Sequence, residues 1–136
     1  MSTDYPHIAS IRRFVRNIGP NKPLLIVLFG SVARHDFTET SDADVLVVFA
    51  EQCDWNLVYA CSDGWVQPVV MSLEELRKRL TEGESLAHEI EQDGELISGS
   101  RELWEELRGI ARDARQRLGM KRFPDRWSYS PAAENG

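Results

Sequence analysis

Two short runs in this 136-residue chain hold residue types that do chemistry on phosphates, Gly30-Ser31 and Asp42-Ala43-Asp44. Gly30 closes an apolar run, and its missing Cβ lets a phosphate come close to the backbone. Ser31 adds a hydroxyl where a helix can begin, with free N–H groups aimed at an anion. Asp42 and Asp44 stand at i and i+2 at the entrance of a second apolar run. Strand periodicity puts both carboxylates on one face, roughly 6.6 Å apart along the chain. Two such oxygen donors suit Mg²⁺, which takes one or two carboxylates together with substrate phosphates. A phosphate-holding turn beside a carboxylate pair is what phosphoryl or nucleotidyl transfer needs. A solitary Asp-x-Asp is commonly solvated loop charge, and Asp42 alone could close an Asx turn after Ser41. Neither account explains a second acid at the mouth of an apolar strand, where charge is costly without a partner.

The elements that must position these residues are legible as alternating periods. Ile8, Ile11, Phe14, Val15 and Ile18 form one apolar helix face that ends at Gly19-Pro20. Leu24–Phe29, bounded by Pro23 and Gly30, and Asp44–Phe49 read as strands covered on both faces. Trp65–Met71 reads as a third strand, and Pro68, which cannot donate to a ladder, assigns it to an edge or a bulge. Ser72 with Glu75 is a capping box before a helix whose buried stripe is Leu73, Leu76 and Leu80. A helical piece follows over Ser85–Gln92, with Leu86, Ala87 and Ile90 inward, and Glu95–Ser98 adds a short strand after the Asp93-Gly94 turn. The last helix, Ser100–Leu118, places Leu103, Leu107, Ile110, Ala114 and Leu118 on one face. Trp104 lies beside that stripe, and Arg108, Arg112, Arg115 and Arg117 crowd the polar side as a solvated surface. From Gly119 onward no periodicity is found, which predicts a mobile end containing Trp127 and Tyr129. The fold class is α/β (α+β), a small mixed sheet flanked by helices.

Composition narrows the function. Apolar residues at 42% and charged ones at 28% are ordinary globular usage and argue against wholesale disorder. Sixteen Lys plus Arg against 22 Asp plus Glu give a net charge of −6, which excludes a non-specific nucleic-acid binder dependent on a positive field. It leaves open a nucleotide–metal complex, because the acids can hold the metal. Cys53 and Cys61 make no CxxC pair, and His7, His35 and His88 complete no zinc pattern. The opening Met1–His7 is polar, without the apolar stretch of a secretory leader, and neither apolar run approaches the ~20 residues of a membrane span. The expectation is a cytoplasmic protein with no membrane partner.

Gly30-Ser31-Val32-Ala33-Arg34 followed by Asp42-Ala43-Asp44-Val45-Leu46-Val47-Val48 resembles the nucleotidyltransferase superfamily that includes DNA polymerase beta. It is most similar to the minimal nucleotidyltransferase branch, with its Gly-Ser-x-Ala-Arg and its Asp-x-Asp leading into an aliphatic run. The likeness is specific over Leu24–Phe49 and looser through Ser98. It implies a nucleotidyltransferase domain over residues 1–118 and a flexible C-terminal tail over 119–136. It implies that Gly30 and Ser31 hold the triphosphate of ATP or another nucleotide, and that Asp42 and Asp44 ligate two Mg²⁺ ions. One ion would help an incoming hydroxyl attack the α-phosphorus, and pyrophosphate would leave on the other. Arg34 is either a phosphate contact one turn after Ser31 or a solvated helix charge. His35 divides in the same way between a phosphate contact and an exposed polar residue.

The chain departs from the family at the third carboxylate usually found on the next strand. That position holds Gln67, a neutral amide that cannot abstract a proton. Asp63, just before that strand, is the candidate to lean into the site instead. Two functions follow. One is a Mg²⁺-dependent transfer of a nucleoside monophosphate, AMP from ATP, onto a hydroxyl of a protein, RNA or small molecule. The resemblance implies a HEPN-type helical partner for it, as in toxin–antitoxin pairs, or a homo-oligomer completing the acceptor site. The alternative is a catalytically weakened nucleotide-binding or partner-binding subunit.

Overall fold

The apolar runs form the middle of a helix–sheet–helix sandwich. The computed structural model describes residues 4–130. Strand β1 (Leu25–Phe29) is buried at all five positions and β2 (Ala43–Phe49) at six of seven, as continuous apolar runs demand. With β3 (Val66–Ser72) and β4 (Glu95–Gly99) they make one sheet in the order β3-β2-β1-β4. β1 is antiparallel to β2 and β4, whereas β2 and β3 run parallel, so the sheet is mixed. A parallel neighbour needs a crossover. Residues 50–65 supply it and include α3 (Trp55–Tyr59), a helix too short to announce itself by periodicity. Pro68 lies on the edge strand, where its missing N–H costs no ladder bond.

Period-two alternation gives the sheet two apolar faces. Ile26, Leu28, Val45 and Val47 pack against Ile11, Phe14 and Ile18 of α1 (Ile8–Ile18) and Val58 of α3. Leu25, Val27, Leu46 and Val48 pack against α4 (Leu73–Thr81), α5 (Ser85–Asp93) and α6 (Arg101–Leu118) through Leu76, Leu80, Ile90 and Leu107. Each fully buried aliphatic side chain contributes roughly 1.5–3 kcal/mol. The helix starts follow from capping. Ser72 Oγ accepts from Glu75 N–H at 3.1 Å, and Ser100 Oγ accepts from Leu103 N–H at 3.2 Å.

Three expectations change. The buried stripe of α6 runs through Trp104, Leu107, Ala111 and Ala114, while Leu103 and Ile110 are only partly covered. Trp104 is therefore core rather than a neighbour of it. The arginines of α6 are not all solvated: Arg108 and Arg115 both reach Glu91 of α5, and Arg117 donates to Thr81 O. Where the sequence predicts an aperiodic end from Gly119, the chain turns at that residue (φ +60°) into a hairpin of β5 (Met120–Phe123) and β6 (Arg126–Tyr129). Tyr129 Oη donates to Gly83 O, and the Trp127 ring meets His88 edge-on at 5.9 Å. Of the expected tail, 131–136 lie outside the described residues.

Candidate active site

The two sequence runs meet because β1 and β2 are antiparallel in a register that sets Phe29 opposite Asp44. Gly30 follows at once, with φ +74°, and opens α2 (Gly30–Arg34), which carries Ser31 and Arg34. A Cβ on Gly30 would run into the Asp44 carboxylate, so only glycine leaves room for that carboxylate against the turn. Parallel pairing on the other side sets Gln67 opposite Asp44. Asp44 is thus flanked by the Gly30 turn and an amide. Asp42, one step before β2, is exposed, whereas Asp44 is half-buried.

Burial raises the Asp44 carboxyl above its ordinary range, and the like charge of Asp42 raises it further; Arg34 pulls it down and Glu89 pushes it up. Two carboxylates held this close repel unless a cation joins them. The donor set fits one Mg²⁺, which accepts one or two carboxylates and fills the rest of its shell from phosphate and water. Among the described residues no group of three or more His, Cys, Asp or Glu is arranged to hold a metal. On the neighbouring strand the residue across from Asp44 is the amide Gln67, not an acid.

A nucleotidyltransferase-domain family model matches residues 8–122, most of the chain and the whole of this site. The chain belongs to that family, and is a nucleotidyltransferase. No curated protein matches it. Solved structures share the nucleotidyltransferase fold. A toxin–antitoxin complex with AMP-PNP superposes with TM-score 0.59 at 24% identity, over 79% of this chain and 87% of that one. A mutant of the toxin–antitoxin pair MntA–HpeT superposes with TM-score 0.56 at 17% identity, over 81% and 87%. A Sulfolobus solfataricus protein assigned to the nucleotidyltransferases overlaps with TM-score 0.49 at 22% identity, over 74% and 92%.

Within this nucleotidyltransferase the remaining candidates are spoken for. Asp63 does not lean toward the pair. Its carboxylate takes hydrogen bonds from Arg13 at 2.6 Å and Ser10 at 2.7 Å, and its other oxygen accepts from Trp65 N–H at 3.1 Å. These bonds, Arg13 foremost, hold it down at about 2. It ties α1 to the start of β3. Arg34 is not merely solvated, because its guanidinium donates to Asp36 at 3.1 Å and to Asp93 at 2.9 Å. Arg122 of the hairpin grips the same Asp93 with two bonds of 2.8 and 3.0 Å. Burial alone would raise Asp93, but the two guanidiniums hold it low. His35 takes the left-handed cap of α2 at φ +63° and is exposed.

Glu89 and Arg122 escaped the sequence reading. With Arg34, Asp36, Phe123 and Pro124 they line a cavity of about 470 Å³ beside α2. Arg122 meets Asp93 29 residues away along the chain, and Glu89 meets Arg34 and Arg122 on other elements, so no local spacing signals them.

Proposed function

We propose that this nucleotidyltransferase moves a nucleoside monophosphate, AMP from ATP, onto a hydroxyl of a protein, RNA or small molecule. Asp42 and Asp44 would hold Mg²⁺, and Gly30 and Ser31 the triphosphate. The observation that carries the reading is the approach of the Asp44 carboxylate to Gly30, which sets metal-type oxygens against the turn that opens α2. When bound, Mg²⁺ supplies charge neutralisation at the phosphates and acidifies the attacking hydroxyl. Asp42 and Asp44 orient the nucleotide by the geometry of their pair, and Gly30 leaves room for the Asp44 carboxylate at the turn. Ser31 donates its hydroxyl at the same turn. Arg34, anchored on Asp93, sets the direction of α2 and lends positive charge to the rim.

No helix among the described residues is long and apolar enough to cross a membrane. The toxin–antitoxin neighbours support a protein partner, and a HEPN-type helical protein is our reading of it; a homo-oligomer is the other way to complete an acceptor site. Gln67 opposite Asp44 favours a second reading, a subunit that binds nucleotide but transfers it poorly. Calorimetric titration with ATP, with and without Mg²⁺, tests both on the wild type, Asp42→Asn and Asp44→Asn. The expected result is Mg²⁺-dependent binding lost in both variants with folding retained. Unchanged binding in Asp44→Asn would remove the metal assignment. Intact binding with no transfer to any supplied partner selects the second reading.

A further inference from the structure

Asp42 stands in a loop, outside the ladder of β2, yet its carboxylate must keep a fixed distance from that of Asp44. The backbone is tied down on each side of it. On one side Ala43 N–H donates to Trp65 O at 2.9 Å. On the other, the phenol of Tyr5 donates to Ser41 O. Tyr5 precedes α1 and is 1% exposed, part of the core on the α1 side of the sheet. Its ring meets Phe37 edge-on at 5.3 Å, so it holds the loop at both its beginning and its end.

His7 repeats the arrangement two residues later. Its Nε2 lies 3.2 Å from Glu39 O, and its ring stacks on Trp65 at 3.4 Å with an 11° tilt. Trp65 is the residue whose carbonyl holds Ala43. The contacts close a circuit from Tyr5 to Ser41, across Asp42 to Ala43, on to Trp65 and His7, and back to Tyr5, whose ring is 5.5 Å from that of His7. Packing of α1 against the sheet uses Ile11, Phe14 and Ile18 and needs none of these polar ties.

We propose that Tyr5 and His7 are positioning residues that clamp the 37–42 loop and so fix the Asp42 carboxylate beside that of Asp44. The proposal rests on the metal reading of that pair. Neither residue touches the reacting atoms. Tyr5 acts through the Ser41 carbonyl, and His7 acts through Glu39 and the Trp65 ring.

The test compares wild type with Tyr5→Phe, which keeps the ring and removes the donor, and with His7→Ala. Ile18→Val serves as a control that weakens α1 packing without touching the loop. Hydrogen exchange of the 37–43 peptide, read by mass spectrometry on the metal-free chain, should quicken about five- to tenfold in Tyr5→Phe, the scale of one lost hydrogen bond. It should quicken in His7→Ala as well and stay unchanged in the control. Mn²⁺ affinity, titrated with the metal alone, should fall about three- to tenfold in both loop variants and not in Ile18→Val. Exchange and affinity unchanged in Tyr5→Phe and His7→Ala, or changed equally in the control, would overturn the clamp. Absence of Mn²⁺ binding in wild type counts against the metal reading, and the exchange measurement then decides the clamp by itself. Should Tyr5→Phe fail to fold, His7→Ala carries the comparison.

Discussion

At Gly30 two constraints coincide: the backbone takes φ +74°, and the space a Cβ would fill belongs to the Asp44 carboxylate. Gly30→Ala must pay both, strained left-handed backbone and displacement of a charged side chain from its seat. The expected outcome is a loss of about 1–3 kcal/mol in urea unfolding, with Mg²⁺–ATP binding weakened at least about tenfold by calorimetry. A variant that keeps its affinity would show that the turn and the carboxylate do not work together. The sequence exposes Gly30, Ser31, Asp42 and Asp44 because each motif is contiguous and its chemistry lies in residue type. It does not expose the contact between Gly30 and Asp44, which depends on the register of two antiparallel strands. Asp63 fails as a third acid for a similar reason. Its controlling partner, Arg13, is 50 residues away and polarises a carboxylate that local spacing leaves free.

Among the elements, the long ones announce themselves and the short ones do not. β1 is an apolar run between Pro23 and Gly30, β2 is an apolar run after Asp42, and Ser72 caps its helix as the box with Glu75 predicts. The hairpin of β5 and β6 has four residues in each strand and buries only Met120 fully, so alternation is too weak to notice. Its signal lies in Pro124-Asp125, turn-forming residues between short segments that carry Phe123 and Trp127. The hairpin bears on the site because Arg122 shares Asp93 with Arg34 of α2. Arg122→Ala removes a bidentate ion pair to a carboxylate whose side chain is 8% exposed, together with the guanidinium lying 5.8 Å from the Trp127 ring. A loss of about 1–2 kcal/mol in urea unfolding is expected. Arg126→Ala, which loses a 3.6 Å pair with its exposed neighbour Asp125 and a guanidinium 5.1 Å from the exposed Phe123 ring, should cost less, about 1 kcal/mol at most. A loose tail would make both substitutions silent.

The two apolar faces of the sheet give the whole molecule its cohesion, but one polar residue sits where four elements of the second layer converge. His88 of α5 is fully buried, with Nε2 at 2.8 Å from Leu80 O of α4 and Nδ1 at 3.2 Å from the Arg115 guanidinium of α6, and Trp127 of β6 meets its ring. Arg115 can only donate, so Nδ1 must accept, which leaves Nε2–H to donate to Leu80 O and fixes the neutral tautomer. Burial lowers the His88 pKa below 6.5; the Leu80 carbonyl raises it, Arg115 lowers it, and the nearby carboxylates Glu91 and Glu84 raise it. The folded state therefore binds a proton less readily than the unfolded chain. Stability from this group is complete above pH 6.5 and is lost as the pH falls from there toward the lowered folded value. Protonation would put a donor against the Arg115 guanidinium and strain α4, α5, α6 and the hairpin together, so the loss should be one cooperative transition. Thermal melts of wild type at intervals from pH 8 to 5 should show the midpoint falling below pH 6.5. His88→Gln can keep a bond to Leu80 O but cannot take a proton. Its melts should start lower at pH 8 and slope less toward pH 5, and an equal slope in the two proteins would assign the acid sensitivity to other groups.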